Sequence, residues 1–260
     1  MSAPVFRMAV RLRLAQSASA AFGLVAVLIM VGALFPAVGD SIGQLDLPEG
    51  VADLLGGADY GTITGWYRGE ISSVYGPLVA GGIAIAAASG STAGEEDDRL
   101  LALILAYPVT RPALVAAKAA AVAVGVLIVA VATWAGLIAG VAVAGGGIGV
   151  GNLGAYALHL AFFGFAAGAV ALALGAGTGR RGLATGGASA FAVLGFLING
   201  FAPLVDAIAW LKYISPFYYY AENDPLSNGV DVADLVVLGL FAAAFTGIAM
   251  RGLQRRDLRA

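Results

Sequence analysis

Between Ala18 and Val38 the chain carries no charged side chain, and about 20 apolar residues are what a helix needs to cross the hydrocarbon core of a bilayer. Similar runs recur at residues 73–93, 119–144, 153–177, 184–204 and 232–250, the last apolar from Leu235 to Met250. Backbone polar groups cannot be left unpaired in lipid, so such runs must close their hydrogen bonds internally, as helices do. Composition agrees: 60% of residues are hydrophobic and 12% charged, against about a quarter charged in soluble domains. The mean hydropathy is +0.90. The expected fold class is therefore an all-α polytopic membrane protein with six transmembrane helices. No soluble domain remains once these spans are counted, so residues 1–260 read as a single transmembrane domain.

Several function classes are excluded. The net charge is −2 and no basic field suggests nucleic acid. There is no cysteine, hence no disulfide framework and no thiolate metal site. The single histidine, His159, cannot form a multi-histidine centre within one chain. The turn Gly145–Gly151 is glycine-rich, but no Lys-Ser or Lys-Thr follows it as a phosphate loop requires. Arg7, Arg11 and Arg13 among apolar residues give residues 1–17 the character of a basic amphipathic helix at the membrane surface. They also resemble a signal-peptide n-region, but the charge-free run that follows is long enough to be a retained first span.

Charge asymmetry orients the spans. With six spans both termini share one side, and 12 of the 14 Lys and Arg residues fall there, leaving Arg68 and Lys212 opposite. The positive-inside rule makes that side cytoplasmic. Residues 39–72, rich in Asp and Glu with Gly and Pro, read as an external loop. Residues 205–234 read as a second external segment. In it Trp210, Tyr213, Phe217, Tyr218, Tyr219 and Tyr220 suit a headgroup boundary, and Asp224-Pro225 and Asn228-Gly229 signal turns.

The inner stretch Gly94–Lys118 (GEEDDRLLALILAYPVTRPALVAAK) is the exception to the outward placement of acids. Its 25 residues exceed the roughly 2–8 that a plain helix–helix connector needs. Glu95, Glu96, Asp97 and Asp98 are expected in the first turn of a helix, opposing the positive end of its dipole. Arg99 and the leucines continue that helix along the membrane surface until Pro108 stops it.

The order of these residues resembles the ABC-2 type permeases, the membrane subunits of ATP-binding-cassette exporters. The resemblance rests on Glu95, Glu96, Pro108, Val109, Thr110, Arg111 and Lys118 in the inner loop. It rests also on Ser215-Pro216-Phe217-Tyr218-Tyr219, Asp224-Pro225-Leu226 and Asn228-Gly229 in the external segment. The six-span plan extends it over the whole chain. It implies that the inner loop holds a coupling helix contacting a separate ATPase subunit, with Glu95–Arg99, Pro108, Thr110, Arg111 and Lys118 at that interface. It implies an external segment comprising Trp210, Tyr213, Ser215–Tyr219, Asp224 and Pro225. It implies ATP and Mg on the partner ATPase with no cofactor on this chain, two permease halves (a homodimer), and multi-pass residence in the plasma membrane. Relatives often carry Gly-Thr where this chain has Arg99-Leu100, another acid at Ala102, and Gly at Ala117.

Two other function classes make different demands on the sequence. An intramembrane enzyme would draw on His159 and Ser189, but Ser189 has no nucleophile motif around it and no second carboxylate nearby. An ion-coupled secondary transporter needs ionisable groups in mid-span. None is expected inside the spans, and Asn199 is the one strongly polar amide there. Spans of Ala, Val, Leu and Gly suit an amphipathic or lipid-like passenger, a drug or antibiotic among them. Gly90/Gly94, Gly136/Gly140, Gly164/Gly168 and Gly182/Gly186 are spaced for close helix contact.

Overall fold

The computed structural model describes residues 3–43 and 61–256. The expectations for residues 44–60 and for Arg259 lie outside the described residues. Among the described residues there is no strand, and six helices are long and apolar enough to cross a membrane. They are α1 (Ala3–Gly43), α2 (Ile63–Asp97), α4 (Arg111–Val143), α5 (Val150–Thr178), α6 (Arg181–Phe201) and α9 (Val232–Arg255). The short helix α3 (Leu100–Leu105) links α2 to α4. Between α6 and α9 lie a 3₁₀ segment Asp206–Ile214 and the short helices α7 (Pro216–Ala221) and α8 (Pro225–Asn228).

Helix α5 is the hub. It packs against α2, α4, α6 and α9, while α1 packs mainly on α4. Small residues explain the closeness. A Cβ on Gly164 would stand 2.8 Å from Val126, one on Gly168 3.0 Å from Val122, and one on Gly175 2.7 Å from the Thr92 hydroxyl. In lipid no hydrophobic force drives helices together, so such backbone-to-side-chain contact supplies the association. Two of the glycine pairs, Gly136/Gly140 and Gly164/Gly168, do sit at helix contacts, whereas Gly182 and Gly186 face open space.

Three boundaries differ from the sequence expectation. The N-terminal basic segment and first span form one continuous helix with Pro36 inside it, so no separate surface helix precedes the span. At about 1.5 Å per residue, α1 and α4 reach roughly 60 and 50 Å, well beyond a hydrocarbon core of about 30 Å. The second-span helix begins at Ile63, ten residues before the apolar run, with Thr62 accepting the Gly65 N–H at 3.1 Å. Trp66 and Tyr67 hold that turn to α1, donating to Val31 O at 2.9 Å and Leu28 O at 3.0 Å. The helix also continues past the apolar run to Asp97. Hydropathy loses a helix where charge returns, although the backbone ladder does not stop there.

Helix α2 widens twice into π-turns, at Arg68–Tyr75 and Gly90–Gly94. The first precedes Pro77, whose ring nitrogen cannot donate; Gly76 N–H reaches back to Ile71 O. The second follows Ser89 and contains Ser91, whose hydroxyls bond back to Ile85 O at 2.7 Å and Ala88 O at 2.8 Å. Such back-bonding competes with the regular ladder.

The α1–α4 contact makes a direct test. A Cβ on Gly140 would stand 2.2 Å from the Tyr67 hydroxyl and 2.5 Å from Leu28 O, whereas one on Gly23 would meet nothing within 4 Å. Gly140→Ala is expected to cost about 1–3 kcal/mol through overpacking and to lower the melting temperature in detergent. Gly23→Ala is expected to leave that temperature unchanged or raise it.

Candidate functional site

The charged stretch around Glu95 is built differently from the sequence expectation. Its acids end α2 instead of opening the next helix. Glu95–Asp97 form its last turn, and Asp98 and Arg99 break the chain, Arg99 taking a left-handed φ of 60°. The helix-dipole argument for these acids therefore does not hold, since a helix C-terminus repels negative charge. What holds them is cations on other helices.

Glu95 and Glu96 are buried, at 7% and 5% exposure. The Lys118 ammonium, fully buried in α4, donates to Glu95 Oε1. Arg256, just past α9, forks onto Glu96, donating from Nη1 to Oε1 at 2.8 Å and from Nη2 to Oε2. Arg256 Nε also donates to Ala176 O of α5 at 3.2 Å. Arg111 caps the end of α9, its Nη1 donating to Leu253 O at 2.7 Å and Arg256 O at 2.6 Å. Thr110 caps α4 itself, accepting the Ala113 N–H at 3.4 Å. One ionic layer thus ties α2, α4, α5 and α9 together at the end that carries both described termini. Lys118 lies about 10 Å along α4, because that helix starts at Arg111, eight residues before the apolar run read as the third span.

The rest of the stretch faces outward. Asp97, Asp98, Arg99 and Pro108 are exposed, as are Leu100 and Leu103 of α3 and Tyr107 beyond it. Leu101 is buried and anchors α3. An apolar groove of about 540 Å³ runs between α3 and the start of α1, lined by Val5, Met8, Leu103, Ile104 and Tyr107. The nine sequence-predicted residues of this stretch thus divide. Glu95, Glu96 and Lys118 are interior, Arg111 and Thr110 tie and cap helices, and Asp97, Asp98, Arg99 and Pro108 are on the surface. Arg256 was missed, because in the sequence it is one of several basic residues in a tail.

The far end is a cap over the bundle. Ser215 accepts the Phe217 N–H at 3.1 Å and donates to Gly195 O at 2.8 Å, pinning α7 to α6. Phe217 is buried, with its ring 4.6 Å from that of Phe163. Tyr220 is buried too, its hydroxyl 2.7 Å from that of Tyr156. These two rings point into the protein, not to a headgroup boundary. Trp210 and Tyr213 are exposed, Tyr218 and Tyr219 half-buried, and Pro216 and Pro225 buried. Asp224, at a left-handed φ of 43°, pairs with Arg68 of α2 at 3.3 Å. Burial lowers the Lys212 pKa, but Glu222 at 3.3 Å outweighs this and raises it.

A crevice of about 250 Å³ opens between α2 and α6, lined by Pro77, Gly81, Phe163, Ser189, Phe196 and Phe217. It is apolar apart from the Ser189 hydroxyl. Ser189 is exposed on it, whereas His159 is fully buried with Nδ1 at 2.9 Å from Ala155 O of its own helix. No hydrogen bond joins the two, so a Ser–His pair is not formed. Among the described residues no group of His, Asp and Glu could hold a metal.

Removing one member of a buried ion pair strands the other, at about 3–5 kcal/mol. Lys118→Met is expected to lower the melting temperature sharply, and adding Glu95→Gln to that variant is expected to recover part of the loss. Melting curves of the two singles and the double variant in detergent measure this.

No curated protein matches the chain. The family model described as "Multidrug efflux system permease Rv1217c, C-terminal domain" matches residues 3–254, almost the full length. The chain therefore belongs to the family of that permease domain, a multi-pass membrane transport family.

Proposed function

We propose that this chain is the permease subunit of an ABC-2 type exporter, with its termini cytoplasmic in the plasma membrane and ATP and Mg carried by a separate ATPase subunit. The observation that carries the reading is the short apolar helix α3, buried at Leu101 and exposed at Leu100 and Leu103. Its outer face of Leu100 and Leu103, with Tyr107 beyond it, is exposed, and its base is joined to an ionic layer gripping α2, α4, α5 and α9. Such a helix can act as a lever: a partner that moves α3 also moves the ends of α2, α4 and α9. Glu95, Glu96 and Lys118 then transmit force from behind, while Asp97, Asp98, Arg99 and Pro108 meet the ATPase. Nucleotide drives the cycle by favouring one of two states of the spans over the other. A second copy completes the transporter as a homodimer.

The passenger is a hydrophobic or amphipathic molecule, a drug or antibiotic or a lipid-like compound. The family description, a multidrug efflux permease, supports an outward direction and a broad substrate class. The α2–α6 crevice supports apolar recognition, with aromatic faces and one hydroxyl. An ion-coupled mechanism would draw on the Glu95–Lys118 pair, but that pair is bound into the layer near one end of the bundle and not at mid-span.

The test is drug-stimulated ATP hydrolysis by the permease co-purified with its ATPase. Leu103→Glu and Tyr107→Ala are expected to lower stimulation at least about tenfold, the scale of a lost interface anchor worth ~2 kcal/mol, with insertion and melting temperature retained. Arg111→Ala is expected to lower both stimulation and stability, since it frees the end of α9. Drug transport driven by an ion gradient in the absence of any ATPase, or wild-type stimulation in Leu103→Glu, would overturn the reading.

A further inference from the structure

We propose that Arg13 and Arg181 form a binding site for the phosphate of an anionic phospholipid headgroup, in the angle between α1, α2 and α6. Both guanidinium groups lie on the second π-turn of α2. Arg13 reaches Gly90 so closely that a Cβ there would stand 3.1 Å from its Nη2 and 3.3 Å from its Nη1. The Arg181 side chain lies over Gly94, with Cδ 3.5 Å from where a Cβ would be. The two glycines are one turn apart, and the two cations are close enough to repel each other.

Charge bookkeeping leaves this corner positive. Glu95 is the carboxylate within electrostatic reach of Arg13, and Lys118 already donates to it. Glu96 is matched by Arg256. Arg13 and Lys118 therefore both face Glu95, and Arg181 adds a further positive charge beside Arg13. Neither Arg13 nor Arg181 makes a hydrogen bond or ion pair among the described residues. Arg13 is half-buried and loses much of its hydration, while Arg181 is exposed and keeps the corner open to an incoming headgroup. A guanidinium fork suits two phosphate oxygens. The first turn of α6 has no side-chain cap, so its free N–H groups add to the same positive corner. The corner lies at the end of the membrane-crossing helices, where headgroups are found, and basic pockets between spans are a known form of lipid recognition. The proposal does not depend on the identity of the transported molecule or on the ATPase.

Detergent-purified protein titrated with short-chain phosphatidylglycerol, phosphatidylcholine of equal chain length, or inorganic phosphate provides the test, read by native mass spectrometry and melting temperature. Phosphatidylglycerol is expected to bind and stabilise, and phosphatidylcholine to do so far more weakly. Arg181→Gln is expected to weaken phosphatidylglycerol binding about fivefold and Arg13→Gln/Arg181→Gln about 30-fold, the scale of one surface cation per step. Arg181→Lys should retain most of the binding. Arg7→Gln/Arg11→Gln removes two exposed cations from α1 outside this corner and is expected to change binding little. Equal loss in that control would mean a diffuse surface field and overturn the site. Equal stabilisation by inorganic phosphate would overturn the lipid assignment. Wild-type binding by Arg181→Gln, which stays folded because Arg181 is exposed, would also overturn it.

Discussion

A carboxylate buried in an apolar bundle has to find a cation, and the rest of this structure is arranged around how Glu95 and Glu96 do so. Their ionised forms could not be removed from water unpaired. Lys118 answers one from α4 and Arg256 answers the other from beyond α9. Arg111 then binds the carbonyls that α9 would otherwise leave bare at its end. Pairs of this kind are weak evidence for net stability, because desolvation offsets much of the attraction. What they supply is geometry: α2, α4 and α9 meet in one register, and α3 is held against that junction.

The bundle above this layer coheres by a different means. Helix α5 presents glycine and alanine to its neighbours, so that backbones approach and side chains such as Val122 and Val126 fill the gaps. At the far end aromatic rings close the bundle: Phe163, Phe217 and Tyr220 contact one another edge to face or tilted. The α2–α6 side is the looser one. Most of α6 is exposed, and a crevice remains beside it. A transport protein built this way has a tied end, a closed end and an open flank. That division of labour is what the proposed lever needs, since a rigid junction moves as a unit only if something else can yield.

Much of this was legible in the sequence, and the failures share a cause. Six spans, the stop of the inner helix before Pro108 and the aromatic segment from Trp210 could all be read from local pattern. The acids themselves could be recognised as anomalous on a basic side. Their role could not, because Lys118 is 23 residues from Glu95 and Arg256 is 160 from Glu96. Reading them as a helix start rested on their position before a leucine-rich run; the left-handed Arg99 that separates the two helices leaves no mark in hydropathy. Phe217 and Tyr220 were read as interfacial for the same reason, since composition cannot say which way a ring points.

By itself the sequence determined that this protein is a bundle of membrane-crossing helices, how many there are, and how its charges divide between the two ends. Those properties are sums over neighbours in the chain, and the cost of exposing a backbone or a charge to lipid is paid residue by residue. The tertiary structure alone decided which charges are interior and paired, which glycines are contacts, and which face of the inner stretch remains free. Pairing energies fall off over a few ångströms of space, and chain separation does not encode that distance until the helices have packed.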